Sequence, residues 1–215
     1  MMGKLKKLTG YRLFLPLSCL IIVLLINLIT TPTFFRITIN NGVLYGYIID
    51  VINRASELVV LAVGMTLVVS ASAGTDISVG AVMAVAAAVC TRVLAGGEVS
   101  VNEYANPYVL AVLAALAAAV VCGGFNGFLV AKLKIQPMVA TLILFTAGRG
   151  ISQLVTNGQI TYIRVDGYKL LGNNIPGIPI PTPIFVAVIV VALTYILLKK
   201  TAMGMYIQSV GINER

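Results

Sequence analysis

Six long apolar runs dominate this chain and restrict it to a membrane fold. The runs are Leu13–Thr30, Leu58–Ala73, Val79–Leu94, Tyr108–Val130, Met138–Val155 and Ile184–Leu198. A helix needs about 20 residues to cross the hydrocarbon core of a bilayer, so the second, third and sixth runs are expected to extend into their flanks. Only helices or closed barrels satisfy the backbone in lipid, and these runs lack the alternation of barrel strands. The pattern predicts an all-α, polytopic transmembrane bundle of about six spans with interrupted helices.

Composition supports the same conclusion. Of the 215 residues, 59% are hydrophobic and only 10% are charged, and the mean hydropathy is +1.01. A soluble domain is nearer a quarter charged, because its surface must face water. The net charge of +8 does not indicate a nucleic-acid partner, since the basic residues stand at the ends of apolar runs rather than on one face. The lipid bilayer is therefore the predicted partner of most of this surface.

The distribution of lysine and arginine predicts that both termini are cytoplasmic. With a cytoplasmic N-terminus, nine basic residues fall on the cytoplasmic side: Lys4, Lys6, Lys7, Arg12, Lys132, Lys134, Lys199, Lys200 and Arg215. Five fall on the outer side: Arg36, Arg54, Arg92, Arg164 and Lys169. Arg149 lies within a span. The positive-inside rule favours this orientation.

The chain carries no catalytic signature of its own. It contains no histidine, Walker A loop, HExxH, GxSxG or CxxC pattern. Its cysteines, Cys19, Cys90 and Cys122, all lie in apolar runs and are predicted to be small packing residues. Asp76 has no second carboxylate in the spans with which to perform acid–base chemistry. We therefore expect a protein that is not an enzyme and that binds no metal or cofactor itself.

The first interruption of the apolar pattern is the segment Ser72–Gly80. It places Asp76 at a depth where a carboxylate costs about 2.5–3.5 kcal/mol. One interpretation is an ordinary cytoplasmic turn in which Asp76 or Ser78 caps the following helix. The other is a re-entrant, discontinuous helix that lines a transport pathway. The residues alone leave both open.

Two further features lie inside predicted spans. The segment Cys122–Gly127 contains three glycines, which permit either close helix approach or local unwinding, and Asn126 should face the bundle to find partners. In the fifth run, Thr141 either bonds its own backbone or contributes to a pathway. Arg149 either snorkels, forms an ion pair within the bundle or contacts a substrate.

Several stretches resemble the permease subunits of bacterial ABC importers for monosaccharides, the ribose-type family. The resemblance runs in order from about residue 58 to the end, and no single motif carries it. It rests on Ala62–Val69, Gly74–Gly80, Asn126–Ala131, Ile135–Leu142, Arg149–Gly150, the Pro-rich stretch before the last span and Gly204–Glu214. Within the family, the stretch Met203–Asn213 is most similar to galactofuranose-type members.

This resemblance implies a subunit of an ATP-driven importer in the bacterial inner membrane, which moves a monosaccharide into the cytoplasm. The implied partners are cytoplasmic ATPase subunits that use the ATP, a second permease subunit of the same or a related kind, and a periplasmic sugar-binding protein. The predicted substrate-pathway residues are Thr75, Asp76, Ser78, Asn126, Thr141 and Arg149. The predicted ATPase-coupling residues are Gly204, Gly211, Asn213 and Glu214. Residues 1–215 are expected to form one transmembrane domain, with residues 199–215 starting the coupling segment.

Two departures from the family pattern qualify this expectation. Family members typically read Gly-Gly-Ile-Asp-Leu-Ser-Val-Gly at the first interruption, and Thr75 stands where isoleucine is usual. Family members also continue with further spans, so we expect this chain to be part of a longer permease. The alternative functions are a secondary sugar carrier or channel and, from another class, an intramembrane lipid-modifying enzyme.

Overall fold

The computed structural model describes residues 13–212 except 32, 41–42, 73, 170–171, 173–174 and 176–177. This part of the chain is mostly helical, which confirms the all-α prediction. Its α-helices are α1 (Phe14–Thr30), α2 (Tyr47–Ser72), α3 (Val79–Ala95), α4 (Tyr108–Ala131), α5 (Pro137–Val155), α6 (Thr182–Lys200) and α7 (Ala202–Ile212). Short elements lie in the connections: β1 (Thr38–Asn40), β2 (Val43–Tyr45), β3 (Ser100–Val101), β4 (Tyr162–Ile163) and a 3-10 turn at Asp166–Lys169.

Six of these helices coincide with the predicted apolar runs. Within the described residues, α2, α4, α5 and α6 are long and apolar enough to cross a membrane. Helices α1 and α3 have 17 residues each, at the lower end of the range for a spanning helix. The prediction of a multi-pass membrane bundle is confirmed. The cytoplasmic location of the termini stays a prediction.

Helix α2 begins at Tyr47, well before the run predicted to start at Leu58. The second run thus extends into its flank, as expected, and this extension places Asp50, Arg54 and Glu57 on the helix. A carboxylate is favourable in the first turn, where the helix dipole is positive, and Asp50 takes that position. The connection before α2 is therefore short and consists mainly of the β1–β2 hairpin.

Prolines set the starts of three spans. Helix α4 follows Pro107, α5 begins with Pro137, and α6 follows Pro181 and has another proline in its first two positions. Proline suits the first turn, because the amide hydrogen it lacks would have no partner there and its fixed φ is already helical. Pro181 itself is extended, with φ −56° and ψ 138°.

The helices pack in two groups. Helices α3, α4 and α5 contact one another, whereas α2 packs against α6 and α7, and α6 against α7. In the α3–α5 group a small core forms from Val85, Cys122 and Leu144. Alanines such as Ala111 and Ala140 are fully buried, which lets the helix backbones approach closely in the absence of a hydrophobic driving force. None of the side chains of α1 is buried, so this helix offers its whole apolar surface to lipid or to another protein.

Loop contacts join connections that are predicted to share a side of the membrane. Strands β3 and β4 pair in parallel, with the Tyr162 amide donating to the Val99 carbonyl at 2.7 Å. The Leu44 amide donates to the Pro179 carbonyl at 2.9 Å, which joins the segments before α2 and α6. On the opposite side, Gly74 after α2 packs against Pro137 at the start of α5. This arrangement fits helices that cross in alternating directions.

Candidate functional site

The segment between α2 and α3 is packed into the bundle. Thr75–Ser78 has no regular secondary structure, and Ser78 is fully buried. A solvated turn would leave this serine exposed. The geometry favours the interpretation of an interrupted helix that is held inside the protein, where irregular backbone is tolerated.

Asp76 organises this segment through one carboxylate oxygen. Its Oδ1 accepts a hydrogen bond from the Ser78 amide at 2.7 Å and another from the Ser78 hydroxyl at 2.7 Å. The prediction that Asp76 or Ser78 caps α3 with its side chain was wrong, because Ser78 is the N-cap residue yet makes no side-chain cap bond. The Asp76 oxygen instead closes a local turn just before the helix, in competition with capping.

Asn126 on α4 extends the network into the neighbouring helix. Its Nδ2 donates to the Ser78 hydroxyl oxygen at 2.8 Å, and only 7% of the residue is exposed. The prediction that Asn126 faces the bundle is therefore confirmed. Its other amide atom, Oδ1, is buried without a hydrogen-bond partner among the described residues.

Thr141 on α5 fixes the same segment from the other side. Its Oγ1 accepts a hydrogen bond from the Ile77 amide at 3.2 Å and donates to the Met138 carbonyl at 3.3 Å. The hydroxyl thus does bond its own helix, as one interpretation of the sequence held. It also reaches the interrupted segment, which that interpretation did not include. Asp76, Ser78, Asn126 and Thr141 are hereafter called the polar network.

Thr75 and Arg149 lie apart from the other predicted pathway residues. Thr75 is exposed, although it directly precedes Asp76. Arg149 is also exposed, and its guanidinium carbon lies 4.7 Å from the ring centre of Phe145. This cation–π contact is intrahelical, as expected of a side chain four residues along the same face. Within the described residues, neither side chain hydrogen-bonds to the polar network.

Two glycines bring the elements of the network together. A Cβ built on Gly74 would lie 2.5 Å from the Cβ of Pro137. One built on Gly148 would lie 3.0 Å from the Cβ of Ala81, so Gly148 holds α5 close to α3. The sequence analysis did not identify either packing role, because helical spacing does not show which glycine meets another element.

The glycines of the Cys122–Gly127 segment behave differently from expectation. Helix α4 runs through the segment without unwinding. A Cβ added to Gly123, Gly124 or Gly127 would meet no described atom within 4 Å. Close packing against another helix of this chain was therefore a wrong prediction for these three positions. Asn126, between them, is the residue that makes the contact.

Two of the predicted coupling residues lie on α7, Gly204 near its start and Gly211 near its end. Gly204 packs against the Leu198 carbonyl at the turn from α6, and Gly211 packs against the Ser70 carbonyl near the end of α2. Asn213 and Glu214 lie outside the described residues. The coupling role itself is a prediction that this geometry neither requires nor excludes.

One cavity lies elsewhere in the bundle and shares no residue with the polar network. It is a groove of about 670 Å³ between α2 and α6. Its lining is apolar, with Ile52, Val59, Ala187 and Val191 among the contributors. An apolar groove offers no partner for the hydroxyl groups of a sugar. The expectation of a sugar substrate therefore favours the interrupted segment over this groove.

Comparison with known proteins identifies the family. Residues 47–215 match the family model described as branched-chain amino acid transport system / permease component. The galactofuranose transporter permease protein YtfT of Escherichia coli (strain K12) is 44% identical over 93% of this chain and 55% of its own length. The fructose import permease protein FruF of Bifidobacterium longum (strain NCC 2705) is 37% identical over 97% of this chain and 58% of its own length.

The ribose import permease protein RbsC of Escherichia coli (strain K12) is 32% identical over 92% of this chain and 58% of its own length. This chain thus spans a little more than half the length of the curated relatives it matches. No solved structure matches it. The named relatives are permeases for sugars, which confirms the resemblance seen in the sequence. The chain therefore belongs to the family described as branched-chain amino acid transport system / permease component, whose model matches residues 47–215.

Proposed function

We propose that this chain forms part of the membrane-spanning subunit of an ATP-driven importer, which carries a monosaccharide into the cytoplasm. The printed names of the relatives support this, because galactofuranose, fructose and ribose are all monosaccharides. Galactofuranose is the first substrate to test, since the permease named for it is 44% identical to this chain. The proposed location is the bacterial inner membrane.

The partners follow from this proposal. ATP is bound and hydrolysed by cytoplasmic ATPase subunits, so this chain needs no cofactor of its own. A second permease subunit completes the pathway, and a periplasmic binding protein delivers the sugar to the outer face. Residues 199–215, which include α7, form the start of the segment that contacts the ATPase.

The observation that carries the proposal is the polar network at the interrupted segment. A sugar pathway needs hydrogen-bonding groups that are held in place without trapping an ion. Ser78, Asn126 and Thr141 are all more than nine-tenths buried, so they can hold in place the segment that carries Asp76. Its single carboxylate uses Oδ1 for both hydrogen bonds to Ser78, which leaves its other oxygen to accept from a sugar hydroxyl.

Burial and hydrogen bonding support different roles for the predicted pathway residues. We assign substrate contact to Thr75, which is exposed, and to Asp76, which is half-buried. Ser78, Asn126 and Thr141 are positioning residues, because each hydrogen-bonds another part of the protein. Arg149 lies over Phe145 and is the weakest candidate for substrate contact. In alternating access, ATP energy would shift the population between outward-open and inward-open arrangements of these elements.

Uptake measurements test the proposal. A strain lacking the complete gene should lose ATP-dependent import of one monosaccharide and regain it when the full-length gene is supplied. Complementation with Asp76→Asn, which keeps the size of the side chain but not its charge, should restore less import.

If import of galactofuranose, fructose and ribose is unchanged in the deletion strain, the proposal loses its main support and other monosaccharides must be screened. Import that persists without the ATPase would favour a secondary carrier or channel. Lipid modification without import would favour an intramembrane enzyme.

A further inference from the structure

We infer that α7 acts on the interrupted segment through one backbone contact, between Gly211 on α7 and the Ser70 carbonyl on α2. This inference rests on the proposed function, because an ATPase must be present to move α7. It assigns Gly211 and Ser70 the role of positioning residues in energy coupling. Neither residue touches the polar network directly.

The contact is unusually close because Gly211 has no side chain. A Cβ built on Gly211 would collide with the Ser70 carbonyl oxygen and would lie 3.1 Å from the carbonyl carbon. Both atoms belong to the backbone, so no change of rotamer can relieve the overlap. Two helices that touch through backbone atoms move together, because no flexible side chain lies between them to absorb a displacement.

Ser70 lies at the end of α2, immediately before the interrupted segment. Two residues later, the Ser72 hydroxyl donates to the Val68 carbonyl at 2.8 Å and accepts from the Gly74 amide at 3.3 Å. Gly74 in turn packs against Pro137 at the start of α5. The last turn of α2 is therefore tied to the segment by hydrogen bonds as well as by the chain.

The interrupted segment also connects the group of α2, α6 and α7 to the group of α3, α4 and α5. Helix α7 packs against α2 and α6. The α3–α5 group holds the segment through Asn126 and Thr141. A shift of α7 that moves Ser70 therefore acts on the polar network across about six residues of chain. This places the Gly211 contact between the proposed ATPase-coupling helix and the proposed substrate site.

A matched pair of variants tests the inference in the complete importer, with the full-length polypeptide, its ATPase and its binding protein in vesicles. Gly211→Ala should lower the sugar imported per ATP hydrolysed by about 2- to 30-fold, the range expected of mutations that modulate coupling. The ATPase should still co-purify with this variant. The control is Gly64→Ala on α2, where a Cβ meets nothing within 4 Å. Equal import per ATP in the two variants would overturn the inference.

A second measurement leaves Gly211 intact, in case Gly211→Ala does not assemble. Thr75→Cys, in a full-length chain whose native cysteines are all replaced by alanine, reports on the interrupted segment. Its labelling rate with a maleimide should differ by about 2- to 30-fold between ATP-trapped and nucleotide-free importer. An unchanged rate would overturn the inference.

The two proposals fail in different ways. If the unmodified importer hydrolyses ATP but takes up no monosaccharide, the proposed function is wrong. If the unmodified importer and Gly64→Ala both import sugar and Gly211→Ala matches them, only the coupling contact is wrong.

Discussion

Asn126 shows how a single residue can be both well placed and incompletely satisfied. Its Nδ2 bonds Ser78 at 2.8 Å, while its Oδ1 is buried without a partner among the described residues. An unpaired buried polar atom costs about 1–3 kcal/mol. The surrounding packing must offset this cost, and the alanine-rich contacts of the α3–α5 group are positioned to do so. What Asn126 contributes in return is the hydrogen bond that joins α4 to Ser78.

The first prediction concerns the bond between Ser78 and Asn126. Ser78→Ala should lower the free energy of unfolding by about 0.5–2 kcal/mol, because it leaves the Asn126 amide without its acceptor. Adding Asn126→Leu should recover part of that loss, since both polar partners are then gone. Thermal unfolding of the single and double variants in lipid nanodiscs measures the coupling. Strictly additive effects would show that the hydrogen bond contributes nothing of its own.

The second prediction concerns Thr75, a position where ribose-type permeases usually have isoleucine. Thr75 is exposed, so Thr75→Ile should change stability by no more than about 0.5 kcal/mol. If Thr75 contacts the sugar, the same change should raise the KM of uptake with little change in the amount of protein in the membrane. Thr75→Ser, which keeps the hydroxyl, is the control. A KM that is identical in all three proteins would remove Thr75 from the substrate site.

At the scale of elements, the apolar runs predicted the helices well and their interruptions less well. Run length and hydropathy depend on local composition, so helices α3 to α6 appeared at nearly the expected bounds. The start of α2 was missed because its charged first turns resemble a loop. The hydrogen bonds from Asn126 to Ser78 and from the Ile77 amide to Thr141 were not predicted, because these partners are distant in sequence. Tertiary contacts of this kind leave no spacing signal in one sequence.

The third prediction tests the glycine that joins two elements. Gly74→Ala would place a methyl carbon 2.5 Å from the Cβ of Pro137. The start of α5 must then move, and overpacking of this kind typically costs about 1–3 kcal/mol. Gly64→Ala should instead leave stability unchanged or raise it by about 0.5–1 kcal/mol, because alanine is the better helix former. Thermal unfolding compares them, and a Gly74→Ala protein as stable as the control would contradict the packing described here.

At the scale of the whole molecule, the pairing of β3 with β4 and of Leu44 with Pro179 sets which loops share a side. The distribution of lysine and arginine predicts that this shared side is the outer one. The structure shows which connections lie at each end of the bundle, and the charge pattern predicts which end is outer and which is cytoplasmic. Neither source of information is sufficient without the other.

The fourth prediction tests this topology in intact cells. In the full-length protein with its native cysteines replaced, Glu98→Cys and Gln159→Cys should react with a membrane-impermeant maleimide added outside. Lys134→Cys, in the connection between α4 and α5, should react only after the membrane is permeabilised. Immunodetection of each variant controls for its level in the membrane. The reverse pattern would invert the predicted orientation.

The contact of Gly74 with Pro137 has a mechanical consequence. It lies at one end of α2, which rises over 26 residues, or about 39 Å at 1.5 Å per residue. A rotation of about 10° around this fulcrum would displace the far end of the helix by about 7 Å, on the order of the width of a sugar ring. Ser70 lies on the same helix close to Gly74, so a small displacement at Ser70 corresponds to a several-fold larger one at Tyr47, on the opposite side of the bundle.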